Sequence, residues 1–181
     1  KMPRIVAIEA ASGKLRDLAT VVGPALYYVT SLAYDPKGKR LFFTGDNSHG
    51  WRDIYAVDLA TRERTLLLKD TRVGDLVINP ADQSLWGVRH NNGLSILVRI
   101  PPPYTDVAPV LALDYGRDMF DLDIAPDGST LSFSLADVTG RQQLAIAPIA
   151  DLLAGNSAFK VLHEFKDNSV SNFVFSPDGR Y

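Results

Sequence analysis

The stretch DLDIAPDGSTLSFS, residues 121–134, contains the pattern that decides the fold. Alternating polar and apolar residues lead into Ala-Pro-Asp-Gly at residues 125–128, and a second segment of the same kind follows. Proline fixes φ at about −65° and glycine accepts a positive φ, so Pro-Asp-Gly is typical of a β-turn. The stretch therefore predicts two antiparallel strands joined by a tight turn.

This pattern recurs along the whole chain. Its markers are Pro36, Pro80, Pro126 and Pro177, at intervals of 44, 46 and 51 residues. Each marker follows a short apolar strand, and predicted second, third and fourth strands fill the rest of each complete period. A period of roughly 40 to 50 residues with four strands is typical of one β-propeller blade. Residues 5–12 match residues 54–61 at a constant offset of 49, so we expect the chain to open on a third strand.

We therefore predict an all-β protein, a β-propeller segment with three complete four-stranded blades and partial blades at both ends. One partial propeller is expected over residues 1–181, with fifteen strands and a helical turn at residues 150–155 that ends at its glycine. Fifteen strands do not close a ring, so we expect a piece of a larger propeller whose open blade edges favour self-association. The alternative is a half-propeller that closes by pairing with a copy of itself. The blade parts are predicted at residues 1–28, 29–71, 72–116, 117–168 and 169–181.

Composition and motifs argue against several classes of function. A net charge of −2 lacks the basic footprint of a nucleic-acid-binding protein. No apolar run approaches the roughly 20 residues that cross a bilayer. The absence of cysteine removes disulfides, thiolate metal sites and a cysteine nucleophile. No nucleophile elbow, zinc-peptidase motif or nucleotide-binding loop occurs, so we expect neither catalysis nor a cofactor in this chain.

Three segments resemble the repeat of TolB-like propellers: SPDG at residues 176–179, APDG at residues 125–128 and DIYAVDLAT at residues 53–61. In that family, a strand that ends in Ser-Pro-Asp-Gly is followed, after a loop, by an Asp-Ile-Tyr-x-x-Asp-Leu strand. The resemblance covers essentially the whole chain. The second blade departs from it at residues 79–82, where no glycine closes the turn.

Such repeats occur in TolB of the Tol-Pal envelope system, in the gating domain of prolyl oligopeptidase-like peptidases and in large bacterial envelope proteins. The resemblance implies a noncatalytic module of the periplasm or cell envelope that acts as a protein or peptide binding platform. The alternative is a substrate-gating propeller of a prolyl oligopeptidase-like or zinc-peptidase-linked protein, whose catalytic domain lies outside this chain. A structural spacer within a larger chain is a third interpretation.

The first strand of each blade lines the central channel of a propeller. The position five residues before each marker proline is polar in every repeat, and the following position is apolar. This alternation predicts a polar channel wall that binds a cation or the basic end of a peptide; a merely hydrated wall is the alternative. The candidates are Ser31, Asp75, Asp121, Asn172 and, two residues beyond Asp121 on the same predicted face, Asp123.

The loops between the second and third strands supply further candidates. Trp51 and Arg52 are of the residue types that anchor protein interfaces, although a tryptophan can instead pack on the blade edge. His49 and His90 are expected in equivalent loops on one face of the ring. Two histidines with no neighbouring glutamate do not make a zinc site, so we predict solvated loop histidines and no metal.

Overall fold

The computed structural model describes residues 3–21, 31–166 and 168–181. Its strands form one two-stranded sheet and three four-stranded sheets, and neighbours in sequence are neighbours in each sheet. The predicted all-β fold with three complete blades is confirmed. The predicted boundary between the first two blade parts, at residues 28 and 29, lies outside the described residues.

Contacts divide the chain into two compact units, Lys1–Gly74 and Asp75–Tyr181. The first unit holds the two-stranded sheet and one four-stranded sheet. The two-stranded sheet pairs β1 (Arg4–Ile8) with β2 (Leu15–Thr20). The four-stranded sheet contains, in order, β3 (Leu32–Asp35), β4 (Arg40–Asp46), β5 (Arg52–Asp58) and β6 (Arg64–Leu68).

The other two four-stranded sheets belong to the second unit. The first contains β7 (Val73–Ile78), β8 (Leu85–Asn91), β9 (Leu94–Ile100) and β10 (Ala108–Ala112). The second contains β11 (Arg117–Ile124), β12 (Thr130–Asp137), β13 (Gln142–Pro148) and β14 (Lys160–Phe165). The predicted helical turn is α1 (Ile149–Leu153), and the chain leaves it through Gly155 at φ +83°.

The fifteenth predicted strand, residues 172–175, is not formed among the described residues. A strand needs a partner to pair its backbone groups, and in each complete blade the first strand pairs with the strand that follows the proline turn. The last residue of this sequence, Tyr181, lies just beyond the fourth turn. The Phe175 N–H instead donates to the Asp123 carboxylate at 2.5 Å.

The proline turns form by two different routes. At residues 125–128 the Gly128 N–H donates to the Ala125 carbonyl at 2.8 Å, and Gly128 takes φ +76°. Asp127 accepts the Ser129 N–H at 2.9 Å, and this bond lowers the pKa of the exposed carboxyl. The proline turn of the second blade has no glycine, and there Gln83 takes the positive φ, one residue later in the turn, as Lys39 does in the first blade. The Gln83 N–H donates to the Asn79 carbonyl at 2.8 Å, so this inner hydrogen bond spans one residue more than the bond from Gly128 to Ala125.

Neighbouring sheets pack through buried apolar side chains. In the first unit Ile5, Phe43 and Val57 form a cluster, with the Tyr55 ring stacked on Phe43 at 5.1 Å. In the second unit the two sheets share a larger cluster, and each fully buried large side chain contributes roughly 1.5 to 3 kcal/mol. That cluster includes Trp86, Val88, Leu97, Met119, Leu131 and Phe133.

The proline turns of the second unit also touch each other. The Asn79 side-chain amide donates to the Gly128 carbonyl at 3.3 Å, which ties the turn after β7 to the turn after β11. A methyl group on Gly128 would overlap the Asn79 side chain and the Ala81 Cβ. Glycine at position 128 therefore serves both the backbone conformation and the contact between blades.

Gly128→Ala and Gly140→Ala separate these two roles. Both glycines have positive φ, but a methyl group on Gly140 meets no atom within 4 Å. We expect Gly140→Ala to lower the free energy of unfolding by about 1 to 2 kcal/mol through backbone strain alone. Gly128→Ala should cost about 1 to 3 kcal/mol more because it also overpacks the contact with Asn79. Urea unfolding followed by circular dichroism measures both values, and equal costs would contradict the contact between turns.

Candidate functional site

Two loops at one end of the first unit are joined by hydrogen bonds and form a continuous surface feature. One connects β4 to β5 over residues 47–51, and the other follows β6 over residues 69–72. We call the two loops together the Trp51 surface. They come from the same end of the sheet because they connect the second to the third strand and leave the fourth strand.

Asn47 holds the two loops together through its side-chain amide. Its Oδ1 accepts the N–H of His49 at 3.0 Å and that of Trp51 at 3.2 Å, which closes the first loop on itself. Its Nδ2 donates to Asp53 at 2.9 Å and to Asp70 at 2.5 Å, which reaches the second loop. Sequence reasoning did not identify Asn47 as a site residue, although an Asn-Ser-His-Gly segment is typical of turns that an asparagine side chain closes.

Asp53 lies beneath this network and is only 3% exposed. Its Oδ1 also accepts the Asp70 N–H at 2.8 Å, and its Oδ2 accepts the Tyr55 hydroxyl at 3.4 Å. Burial raises the pKa of the Tyr55 phenol, and the Asp53 charge and hydrogen bond raise it further. Tyr55 therefore stays a neutral donor at physiological pH. The buried carboxylate is satisfied by hydrogen bonds on both of its oxygens.

Arg52 belongs to the framework of the surface. Its carbonyl accepts the Thr71 N–H at 2.8 Å and the Thr71 hydroxyl at 2.9 Å, so it anchors the second loop. Its half-buried guanidinium lies 3.8 Å from the Asp46 carboxylate and passes over Gly74, where any Cβ would collide with it. The predicted interface residue Arg52 is thus largely engaged in holding the loop.

Trp51 is presented by this framework with 40% of its surface exposed. The Arg72 guanidinium lies 3.9 Å from the centre of the Trp51 ring, a cation–π stack. Arg72 has φ +56°, a conformation that costs an arginine about 1 to 2 kcal/mol and persists only where neighbouring contacts hold it. No sequence pattern points to Arg72, since the stack depends on that backbone conformation.

Three of the four repeat-position candidates share a backbone property that the alternation pattern did not predict. Asp75, Asp121 and Asn172 have φ of +50°, +50° and +57°. Aspartate and asparagine tolerate this left-handed region better than other residues with side chains. Their recurrence is therefore explained by the backbone, and a binding role for them stays a prediction. Ser31 instead forms two hydrogen bonds with Thr44. The Ser31 N–H donates to the Thr44 hydroxyl, and the Thr44 N–H donates to the Ser31 carbonyl, both at 3.1 Å.

Asp121 forms a β-bulge in β11. The pairing of β11 with β12 shifts register between Phe120 and Leu122, so strict alternation of faces is interrupted there. The sequence pattern predicted that Asp121 and Asp123 lie on one face of the strand. Because of the bulge, alternation does not place them on the same face. Asp123 has a structural contact of its own, since its carboxylate accepts the Phe175 N–H from the next repeat.

The two loop histidines differ in position. His49 lies exposed in the loop between β4 and β5, as predicted. The prediction that His90 lies in a loop is wrong, because β8 continues to Asn91 and the turn is confined to Asn92 and Gly93. Both turn residues have positive φ, which is typical of a two-residue hairpin loop. His90 therefore extends along a strand and pairs with Ser95 in the register of β8 and β9.

His90, Ser95 and Asp118 lie together but do not form a catalytic triad. The buried Ser95 hydroxyl donates directly to Asp118, and the His90 Nδ1 lies 3.2 Å from the Ser95 Oγ and 3.6 Å from Asp118. A triad needs the imidazole between the nucleophile and the carboxylate, so that the histidine accepts the hydroxyl proton. This arrangement instead links β8 and β9 to the start of β11.

No group of three or more His, Asp or Glu side chains among residues 3–21, 31–166 and 168–181 is placed to hold a metal ion. Over the same residues, no helix has the length and apolar character that a membrane span needs.

The fold is similar to that of solved propeller proteins. TolB from Acinetobacter baumannii superimposes with a TM-score of 0.74 at 17% identity, over 99% of this chain and 42% of TolB. A TolB homologue from Agrobacterium tumefaciens gives 0.76 at 16% identity, over 97% of this chain and 62% of the other. An oligogalacturonate lyase in complex with manganese gives 0.66 at 14% identity, over 97% of this chain and 51% of the lyase.

These likenesses confirm the TolB-like propeller fold that the proline turns predicted. The chain spans less than two thirds of the length of each of these three proteins. No protein-family model matches the sequence, and no curated protein matches it. At such low sequence identity the likeness establishes the fold, while the function has to be argued from the site.

Substitutions at Asp121 distinguish a backbone role from a charge role. If its left-handed conformation is what matters, Asp121→Asn and Asp121→Gly should change the free energy of unfolding by about 0.5 kcal/mol or less. Asp121→Val should lower it by at least about 1 to 2 kcal/mol because a β-branched residue is strained at positive φ. Urea titrations of the three variants give the comparison. A loss for Asp121→Asn as large as for Asp121→Val would show that the carboxylate charge is needed.

Proposed function

We propose that this chain is a noncatalytic propeller segment of the bacterial cell envelope that binds protein or peptide partners through the Trp51 surface. The observation that carries the proposal is the stack of Trp51 and Arg72 on two loops that are hydrogen-bonded to each other. Tryptophan and arginine are the residue types most enriched among side chains that dominate binding energy.

The rigidity of the two loops supports this role. Trp51 is fixed by its N–H bond to Asn47, and the loop that carries Arg72 is fixed by the bonds of Thr71 to Arg52. A surface that is already ordered before binding loses less conformational entropy when a partner arrives. Exposure of a large aromatic side chain on such a framework favours recognition over a purely structural spacer.

The likeness to TolB supports the envelope location and the binding of protein partners. Because the chain covers 42% and 62% of the two TolB structures, it supplies part of the binding surface of a longer propeller. The polar first-strand residues Asp75, Asp121 and Asp123 are a second, channel-lining part of the proposed platform. Self-association through open blade edges accompanies this proposal for the isolated chain; one such edge is β1, which among residues 3–21 and 31–166 pairs with β2 alone.

A peptide-display selection tests the proposed function. Linear peptides selected on the purified chain should lose affinity for Trp51→Ala by about 30-fold, which corresponds to about 2 kcal/mol for a dominant interface side chain. Tyr115→Ala is the matched control, because Tyr115 is an aromatic residue of the second unit that is 82% exposed. Biolayer interferometry gives the dissociation constants. Unchanged binding by Trp51→Ala, with its thermal unfolding also unchanged, would overturn the proposal.

A further inference from the structure

We infer that the cleft between the β1–β2 hairpin and the turn after β5 is a binding site for a small organic anion with two or more carboxylate groups. The cleft belongs to the first unit and is separate from the Trp51 surface. Trp51 precedes β5 and the turn at residues 59–63 follows it, so a seven-residue strand of roughly 20 Å lies between the two places. A ligand in the cleft therefore leaves the Trp51 surface open to a partner.

The cleft has the size and the mixed lining of a ligand site. Its volume is about 650 Å³, within the range of pockets that bind small molecules. Ile8 and Leu15, which pair across the hairpin, contribute apolar surface and are 64% and 62% exposed. The charged side chains of the lining are Glu9, Lys14, Arg16 and Arg62. All of them except Arg62 come from the hairpin.

The three cations of this lining have no counter-ion among the described residues. Lys14, Arg16 and Arg62 are exposed, and none of them forms an ion pair in that part of the chain. The single carboxylate of the lining, that of Glu9, accepts the Ser12 hydroxyl. Three cations and one carboxylate leave an excess of positive charge around one cleft. An anion that enters it relieves the repulsion between the cations, so charge complementarity favours an anionic ligand.

The turn after β5 holds Arg62 in place at the cleft. The Arg62 N–H donates to the Asp58 carbonyl at 2.8 Å, and Arg62 has φ +63°. The Asp58 carboxylate accepts the N–H groups of Thr61 and Ala60, both at 2.8 Å, and these hydrogen bonds lower the pKa of its carboxyl. Its negative charge is therefore used inside the turn. Glu63, the next residue after Arg62, does not line the cleft.

The opposite rim of the cleft is the turn of the hairpin, which is also closed by hydrogen bonds. The Glu9 N–H donates to the Lys14 carbonyl at 3.0 Å, and the Gly13 N–H donates to the Glu9 carbonyl at 2.8 Å. The backbones of both rims are thus ordered before a ligand arrives. A site of this kind loses less conformational entropy on binding than one that must form around its ligand.

The lining favours an organic anion over an inorganic one. Arginine binds a carboxylate through two parallel N–H groups, and lysine adds a point charge. The apolar surface of Ile8 and Leu15 gains contact with a carbon skeleton, which phosphate and sulfate lack. A compound with several carboxylates on a short aliphatic chain matches both parts of the lining.

Tricarballylate, a propane chain with three carboxylates, is the probe for this site. Nuclear magnetic resonance of the isotope-labelled chain should show shifts of the backbone N–H signals at residues 7–9, 14–16 and 62, with a dissociation constant below about 10 mM. The affinity should fall as sodium chloride is added, because salt screens exposed charges. The uncharged triamide of the same skeleton should bind at least about tenfold more weakly.

Two lysine variants form a matched pair for the same titration. Lys14 and Lys160 are both exposed, and only Lys14 lines the cleft. Lys14→Gln should weaken tricarballylate binding at least about threefold, the loss expected for one exposed ion pair, and Arg62→Gln should do the same. Lys160→Gln should leave the affinity unchanged. Trp51→Ala should also leave it unchanged, so the two sites are tested separately.

Three outcomes would overturn the inference. The first is the absence of shifts at residues 7–9, 14–16 and 62 up to about 10 mM tricarballylate. The second is an equal loss of affinity in Lys14→Gln and Lys160→Gln, which would indicate a general response to net charge. The third is binding of inorganic phosphate as tight as that of tricarballylate, since the apolar part of the lining would then contribute nothing.

Discussion

Left-handed backbone at a few repeated positions is the constraint on which the rest of the structure depends. Each complete blade reverses direction after its first strand, and the reversal places a residue at positive φ. In the second and third blades a residue inside the first strand also has positive φ. Gly128 and Gln83 have it in the turns, and Asp75 and Asp121 have it in the first strands. Only some residue types adopt this conformation at low cost. This restriction on residue type helps to explain why similar residues recur at equivalent positions of the repeat.

The architecture could be predicted because turn chemistry and strand alternation are local properties. Proline markers with a regular spacing predicted three complete blades, and the structure has three four-stranded sheets. The turn without glycine at residues 79–82 looked like a departure from the pattern, and the structure shows that Gln83 takes over the positive φ. His90 was misplaced because the Asn92-Gly93 hairpin turn was overlooked, although such a dipeptide is a strong turn signal.

The candidate site was predictable only in part. Trp51 stood out by residue type, whereas Arg72 comes from a different loop and meets the ring through a strained backbone and a shared hydrogen-bond network. Contacts of this kind depend on tertiary structure and leave no periodic trace in one sequence. Polarity at Asp121 was visible and was interpreted as part of a polar channel wall, whereas a bulge and a left-handed conformation also account for an aspartate at this position.

The passage of Arg52 over Gly74 has a consequence for how this protein can diverge. Any side chain at position 74 would occupy the space of the Arg52 guanidinium. The Arg52 backbone in turn anchors Thr71, one residue before Arg72. A Cβ at position 74 would therefore displace the tip of the Arg52 side chain, which lies beside Asp46. The anchor on Thr71 uses the Arg52 backbone carbonyl, so the second loop can keep its place while the guanidinium moves.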